Sequence, residues 1–106
     1  MGESDFQNKL RLELEKRFDG CIVLKNDPTY IQGVPDLLVL YKDKWAALEC
    51  KIDKKAHQQP NQPYYVKTMN DMSYAAFVYP DNMEEVLDEL QSTFKPNRTA
   101  RVSRRK

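Results

Sequence analysis

The sequence predicts an α/β domain, a mixed central sheet flanked by helices, with its elements in the order α-β-β-β-α-β-α. Three observations carry that prediction. Residues 3–18 place Phe6, Leu10, Leu14 and Phe18 four apart, one apolar stripe along a helix. Residues 37–52 hold two short apolar runs parted by Lys42-Asp43-Lys44, the pattern of two buried strands joined by a polar turn. Residues 60–79 then read as a helix followed by a strand, and a strand that returns through a helical crossover can lie parallel to its predecessor. A chain of 106 residues is one domain. At that size it buries roughly two-thirds of the surface its unfolded form exposes.

Taken in order, the first helix has Ser4 as its expected N-cap, Gln7 as the capping-box partner and Gly20 as its end. Glu3 opens it, where the helix dipole favours an acid. A short strand, Cys21 to Lys25, precedes a turn at Asn26-Asp27-Pro28-Thr29. Gly33 marks a backbone conformation or a close approach that a side chain would block. After the hairpin, DKKAHQQP (53–60) is a polar loop. Pro60 to Met72 forms the second helix, with Tyr65, Val66, Met69 and Met72 inward and both prolines confined to the first turn. Tyr74 to Tyr79 is a strand stopped by Pro80, and Met83 to Leu90 is a helix with Val86, Leu87 and Leu90 on its apolar face.

Composition narrows the class. Hydrophobic residues make up 41% of the chain, and none of its apolar runs approaches a membrane span of about 20 residues. The opening Met1-Gly2-Glu3-Ser4-Asp5 is acidic and polar, unlike a signal peptide, so a cytoplasmic protein is expected. Cys21 and Cys50 lie in apolar strand contexts and read as reduced core residues. A single histidine, His57, and no Cys-x-x-Cys pair argue against zinc. His57 itself reads as a surface residue.

The hairpin carries charges that its apolar setting does not explain. Asp36, Glu49 and Lys51 sit in or beside the two strands, and charge buried in a strand costs several kcal/mol unless paired or bound to a metal. Facing residues of an antiparallel pair project on one side of the sheet. A loop of Lys42-Asp43 sets Asp36 opposite Glu49; a loop of Asp43-Lys44 sets it opposite Lys51; a three-residue loop without a bulge turns Asp36 to the other face. Glu49 and Lys51 share a face in every case, with Leu48, Cys50 and Ile52 on the other. Two converging carboxylates repel, and one is driven to protonate. A divalent cation such as Mg²⁺ removes the conflict, since it takes oxygen ligands. The plain alternative is a salt bridge from Lys51 to either acid.

Taken together, Gly33-x-Pro35-Asp36-Leu37, then twelve further residues from Asp36 to Glu49-Cys50-Lys51, and then Gln62, resemble the PD-(D/E)XK nuclease signature. The extended pattern is similar to the VRR-NUC and Holliday-junction-resolvase-like branches and spans roughly residues 3–79. The resemblance implies a small restriction-endonuclease-like core over residues 1–94. It implies a metal-dependent DNA endonuclease in which Asp36, Glu49, Lys51 and Gln62 are catalytic. Asp36, Glu49, the Cys50 carbonyl and Glu3 would hold Mg²⁺ or Mn²⁺, Glu3 matching a helix-opening glutamate of the resolvases. The small size and motif style resemble phage-encoded members, which would work in a host cytoplasm. Gln62 departs from the common Gln-x-x-x-Tyr spacing, because Tyr65 follows it by three positions.

Lys95 to Lys106 contains six basic and no acidic residues, against eleven basic and sixteen acidic in the rest. Such a run is expected to be a disordered tail, and it suits a phosphate backbone. Expected DNA contacts are Lys54, Lys55, Arg98, Arg101, Arg104 and Arg105; Asp27 and Tyr30 either face DNA or complete their turn. So small a domain favours recognition of DNA shape, as at a junction or branch, by a homodimer that cuts two strands. A sequence-directed homing-type endonuclease of the same fold and an inactive nucleic-acid-binding module are the alternatives.

Overall fold

The computed structural model describes residues 2–53 and 61–95. Its elements run α1 (Glu3–Arg17), β1 (Ile22–Lys25), β2 (Leu37–Tyr41), β3 (Lys44–Cys50), α2 (Gln62–Met72), β4 (Tyr74–Val78) and α3 (Met83–Thr93). This is the expected order. The four strands form one sheet in the order β1-β2-β3-β4. β1–β2 and β2–β3 are antiparallel, and β3–β4 is parallel, as a crossover through α2 requires. The sheet is therefore mixed.

The alternation of side chains along the strands sorts the helices into two layers. Leu37, Val39, Ala46, Leu48, Cys50 and Val78 meet α1 and α3 through Phe6, Leu10, Leu14, Val86, Leu87 and Leu90. On the opposite face Ala47 and Ala75 meet Val66 of α2, with Leu38, Trp45, Met69 and Phe77 packed around them. The fully buried phenylalanine and leucines stand on the α1/α3 side, which is the main core. Phe94, just past α3, packs edge-on against Phe18 with ring centroids 5.2 Å apart and closes that core at one end.

Three local expectations are corrected. The cap of α1 is Gly2, whose main-chain N–H donates to the Asp5 carboxylate at 3.1 Å, so Ser4 lies inside the helix and forms no capping box with Gln7. Met72 is 69% exposed. Steps of three residues drift about 60° around a 3.6-residue helix, so Met72 stands about 120° from Val66 and leaves the buried stripe. α3 runs three residues beyond Leu90, to Thr93. Cys21 and Cys50 are both free thiols, as expected, and burial pushes each thiol pKa up. Among the described residues no helix is long and apolar enough to cross a membrane.

Candidate active site

The β2–β3 turn decides the site. Tyr41 pairs with Lys44, so the loop is Lys42-Asp43, with Lys42 at φ +57. From there the ladder descends to Leu37 opposite Leu48, and one further step sets Asp36 against Glu49. Of the registers the sequence allows, this one brings the carboxylates together, and the three-residue loop that would part them is not formed. Asp36 is then fixed from both sides. Its carbonyl accepts the Asn26 N–H at 2.8 Å, extending the β1–β2 ladder, and its carboxylate accepts the Cys50 N–H at 2.9 Å.

Glu49 faces the α2 layer and is 2% exposed. The Gln62 amide donates to its Oε2 at 2.7 Å, and the Lys51 ammonium lies 3.9 Å from the same oxygen. Its other oxygen, Oε1, is buried with no hydrogen-bond partner among the described residues. Burial first, and then the charge of Asp36, push the Glu49 pKa up to about 8, against the pull of Lys51 and the Asp36 main chain. Burial raises Asp36 as well, opposed by the Cys50 N–H, the Gln7 side chain and the charges of Lys51 and Lys25. Both shifts run toward the protonated form.

α2 supplies Gln62 because of how the helix starts. Pro63 is tolerated in the first turn, and the first helical bond runs from the Tyr65 N–H to the Asn61 carbonyl at 3.1 Å. Gln62 and Val66 are four apart and both buried, so the amide lies on the sheet-facing stripe and meets Glu49. Asn61 also holds the loop that carries Pro35 and Asp36. Gly33 has φ +94, and a Cβ there would stand 2.4 Å from the Asn61 Cβ. This is the close approach expected of that glycine. Lys51 is 7% exposed, and its N–H donates to the Val78 carbonyl at 2.9 Å, which extends the β3–β4 pairing into the site.

The structure thus brings together Asp36, Glu49, Lys51, Gln62 and the Cys50 main chain. The group of Cys50 seen at Asp36 is the N–H. Glu3 stands near enough for its charge to raise Glu49 and Cys50. Even so, among the described residues no three His, Cys, Asp or Glu side chains gather to hold a metal. Glu3 is not drawn into one cluster with both acids. Asp27 completes its turn, accepting from the Thr29 N–H at 2.9 Å and the Thr29 hydroxyl at 2.7 Å. Tyr30 is 83% exposed beside it. Lys54, Lys55, His57, Arg98, Arg101, Arg104 and Arg105 lie outside the described residues.

One neighbour of the site was not anticipated as such. Gln7 reaches the Asp36 carboxylate from α1 and favours its charged form. The signal in the sequence is spacing, since Gln7 follows Glu3 by four residues and shares its helix face. The capping-box reading concealed it.

Two carboxylates, one with a buried oxygen unpartnered among the described residues, suit a hard cation that keeps part of its hydration shell, as Mg²⁺ does. The ammonium and amide beside them are donors that a phosphate oxygen or a water can accept from.

No protein-family model matches the chain, and no curated protein matches it. Among solved structures, one described as a VRR_NUC domain protein aligns over 89% of this chain and 88% of its own, with a TM-score of 0.62 at 14% identity. Another, the Holliday junction resolvase Hjc of the archaeal hyperthermophile Archaeoglobus fulgidus, aligns over 72% and 67%, with a TM-score of 0.50 at 19% identity. At these identities the likeness is one of fold. The chain has the small nuclease-like α/β fold of those two structures.

Proposed function

We propose that this protein is a metal-dependent endodeoxyribonuclease that hydrolyses phosphodiester bonds in branched DNA and works as a homodimer. The observation that carries this reading is the register that sets Asp36 opposite Glu49, with Lys51 and Gln62 on the same cluster. The fold shared with a VRR_NUC domain and a junction resolvase supports the choice of substrate class.

Asp36 and Glu49 would hold Mg²⁺ or Mn²⁺, with the Cys50 carbonyl as a further oxygen donor. When bound, such an ion supplies a more acidic water and neutralises charge on the phosphate. The chain's own groups do the rest. The Cys50 N–H fixes the rotamer of Asp36, and the Gln62 amide fixes that of Glu49, so neither carboxylate has to be ordered at the moment of binding. Lys51, held among buried groups, stabilises charge on the scissile phosphate or the attacking water without a proton transfer. Its compact ammonium is not interchangeable with a planar guanidinium. Lys54, Lys55 and the arginines at 98, 101, 104 and 105 would contact the phosphate backbone.

The test is purified protein with Mn²⁺ on a four-way junction, a flap, a nicked duplex and a plain duplex, side by side. Cleavage of the branched substrates irrespective of sequence is expected. Cutting of plain duplex only at particular sequences would replace this reading with the homing-type one. Binding without any nicking, indifferent to metal, would replace it with an inactive module.

A further inference from the structure

Two buried side-chain oxygens lack a hydrogen-bond partner among the described residues, Glu49 Oε1 and Gln7 Oε1. They come from different elements, yet both side chains adjoin Asp36. Glu49 faces it across the β2–β3 ladder, and Gln7 reaches it from α1. Buried polar atoms are ordinarily satisfied, and each exception calls for an explanation. Here both exceptions are acceptors, so what they lack is a donor or a cation. The Gln62 amide is on Glu49 Oε2, and the Cys50 N–H is on the Asp36 carboxylate. The Lys51 ammonium and the Asp36 N–H also lie close and favour a charged Glu49, yet among the described residues no donor makes a hydrogen bond to either unpartnered oxygen. A hydrated divalent cation offers what both oxygens lack, positive charge for a carboxylate and water O–H groups for an amide carbonyl. Gln7 also lines a groove of about 290 Å³ between α1 and β1, together with Ser4, Asn8, Arg11 and Lys25. The Gln7 side chain thus borders that groove, while its Oε1 itself is buried.

We propose that Gln7 is a positioning residue of the cation site, its amide N–H orienting Asp36 and its Oε1 accepting from a water that the cation holds. This rests on the cation reading given above and adds a residue to it. Gln7 touches neither the scissile bond nor the ion directly. It sets the orientation of one carboxylate and of one bound water, as outer partners of metal sites do.

The test measures Mn²⁺ binding by titration calorimetry, apart from any cleavage assay, in the wild type, Gln7→Leu and Gln7→Glu. Melting of each in EDTA runs alongside. Gln7→Leu is expected to weaken Mn²⁺ by about tenfold or more, the usual effect of removing an outer partner. Its melting temperature in EDTA is expected to change little, because an unsatisfied buried acceptor goes together with one hydrogen bond to Asp36. Gln7→Glu keeps acceptor oxygens but loses the N–H that orients Asp36, so it is expected to bind Mn²⁺ more weakly than the wild type and more tightly than Gln7→Leu. A Gln7→Leu affinity equal to wild type overturns the proposal, whatever the melting shows. So does a Gln7→Glu variant as weak as Gln7→Leu, which would leave no acceptor role. A wild type that binds no Mn²⁺ at all removes the cation site itself, an outcome distinct from either.

Discussion

Glu49 is a carboxyl held between an amide and an ammonium, with one oxygen unpartnered among the described residues. Its proton therefore reports on the site. In the metal-free protein its pKa is pushed up to about 8 from an ordinary 4.5. Between those values the folded state keeps a proton that the unfolded chain has released. By linkage the folded state loses stability as pH rises through that window, and the contribution is complete only below about pH 4.5. Asp36, raised by burial, acts in the same sense. Melting in EDTA should fall from pH 5 to pH 8.5, and Glu49→Gln should flatten much of that fall. Equal slopes in the two proteins would mean that Glu49 does not hold the proton. Saturating Mn²⁺ should oppose the trend, because ligation requires the ionised carboxylate.

At the scale of elements, the site depends on one turn and one close contact. The hairpin was legible in the sequence, since a period of two puts Glu49 and Lys51 on one face whatever the turn. Its register was not legible. Lys42-Asp43-Lys44 contains no glycine or asparagine to mark which two residues form the loop, and the structure alone selects Lys42-Asp43. The α1 stripe and the helix-then-strand crossover could also be read, because periodicity reports burial directly. Gln7 could not be read as a site residue, because its partner Asp36 lies on another element. The docking of the 26–36 loop onto α2 is equally non-local, and it offers a comparison. Gly20 and Gly33 both have positive φ, but a Cβ on Gly20 meets nothing within 4 Å, whereas one on Gly33 meets Asn61 at 2.4 Å. Gly20→Ala should cost only the backbone strain, about 1–3 kcal/mol. Gly33→Ala should cost clearly more in urea denaturation, because it also pushes α2 and Gln62 away from Glu49. If Gly33→Ala costs no more than Gly20→Ala, the contact with Asn61 does not hold the loop in place.

For the whole molecule, charge and catalysis pull in different directions. A site built from carboxylates repels a polyanion, and residues 1–94 carry more acidic than basic side chains. The five basic residues within 96–106 are the natural compensation. Each phosphate they neutralise should steepen the dependence of log affinity on log salt by about 0.9. Deleting residues 96–106 should weaken DNA binding and flatten that slope; an unchanged slope would exclude the segment from the interface. Catalysis itself is claimed for the pair of acids that the β2–β3 register sets face to face. Its most direct measurement is the rate of Mn²⁺-dependent cleavage of a four-way junction by wild type, Asp36→Ala and Glu49→Ala, each shown to be folded by its melting curve. Each substitution is predicted to slow cleavage by at least about a hundredfold, as loss of a single electrostatic catalytic group does. Cutting at close to the wild-type rate by either folded variant would contradict the account.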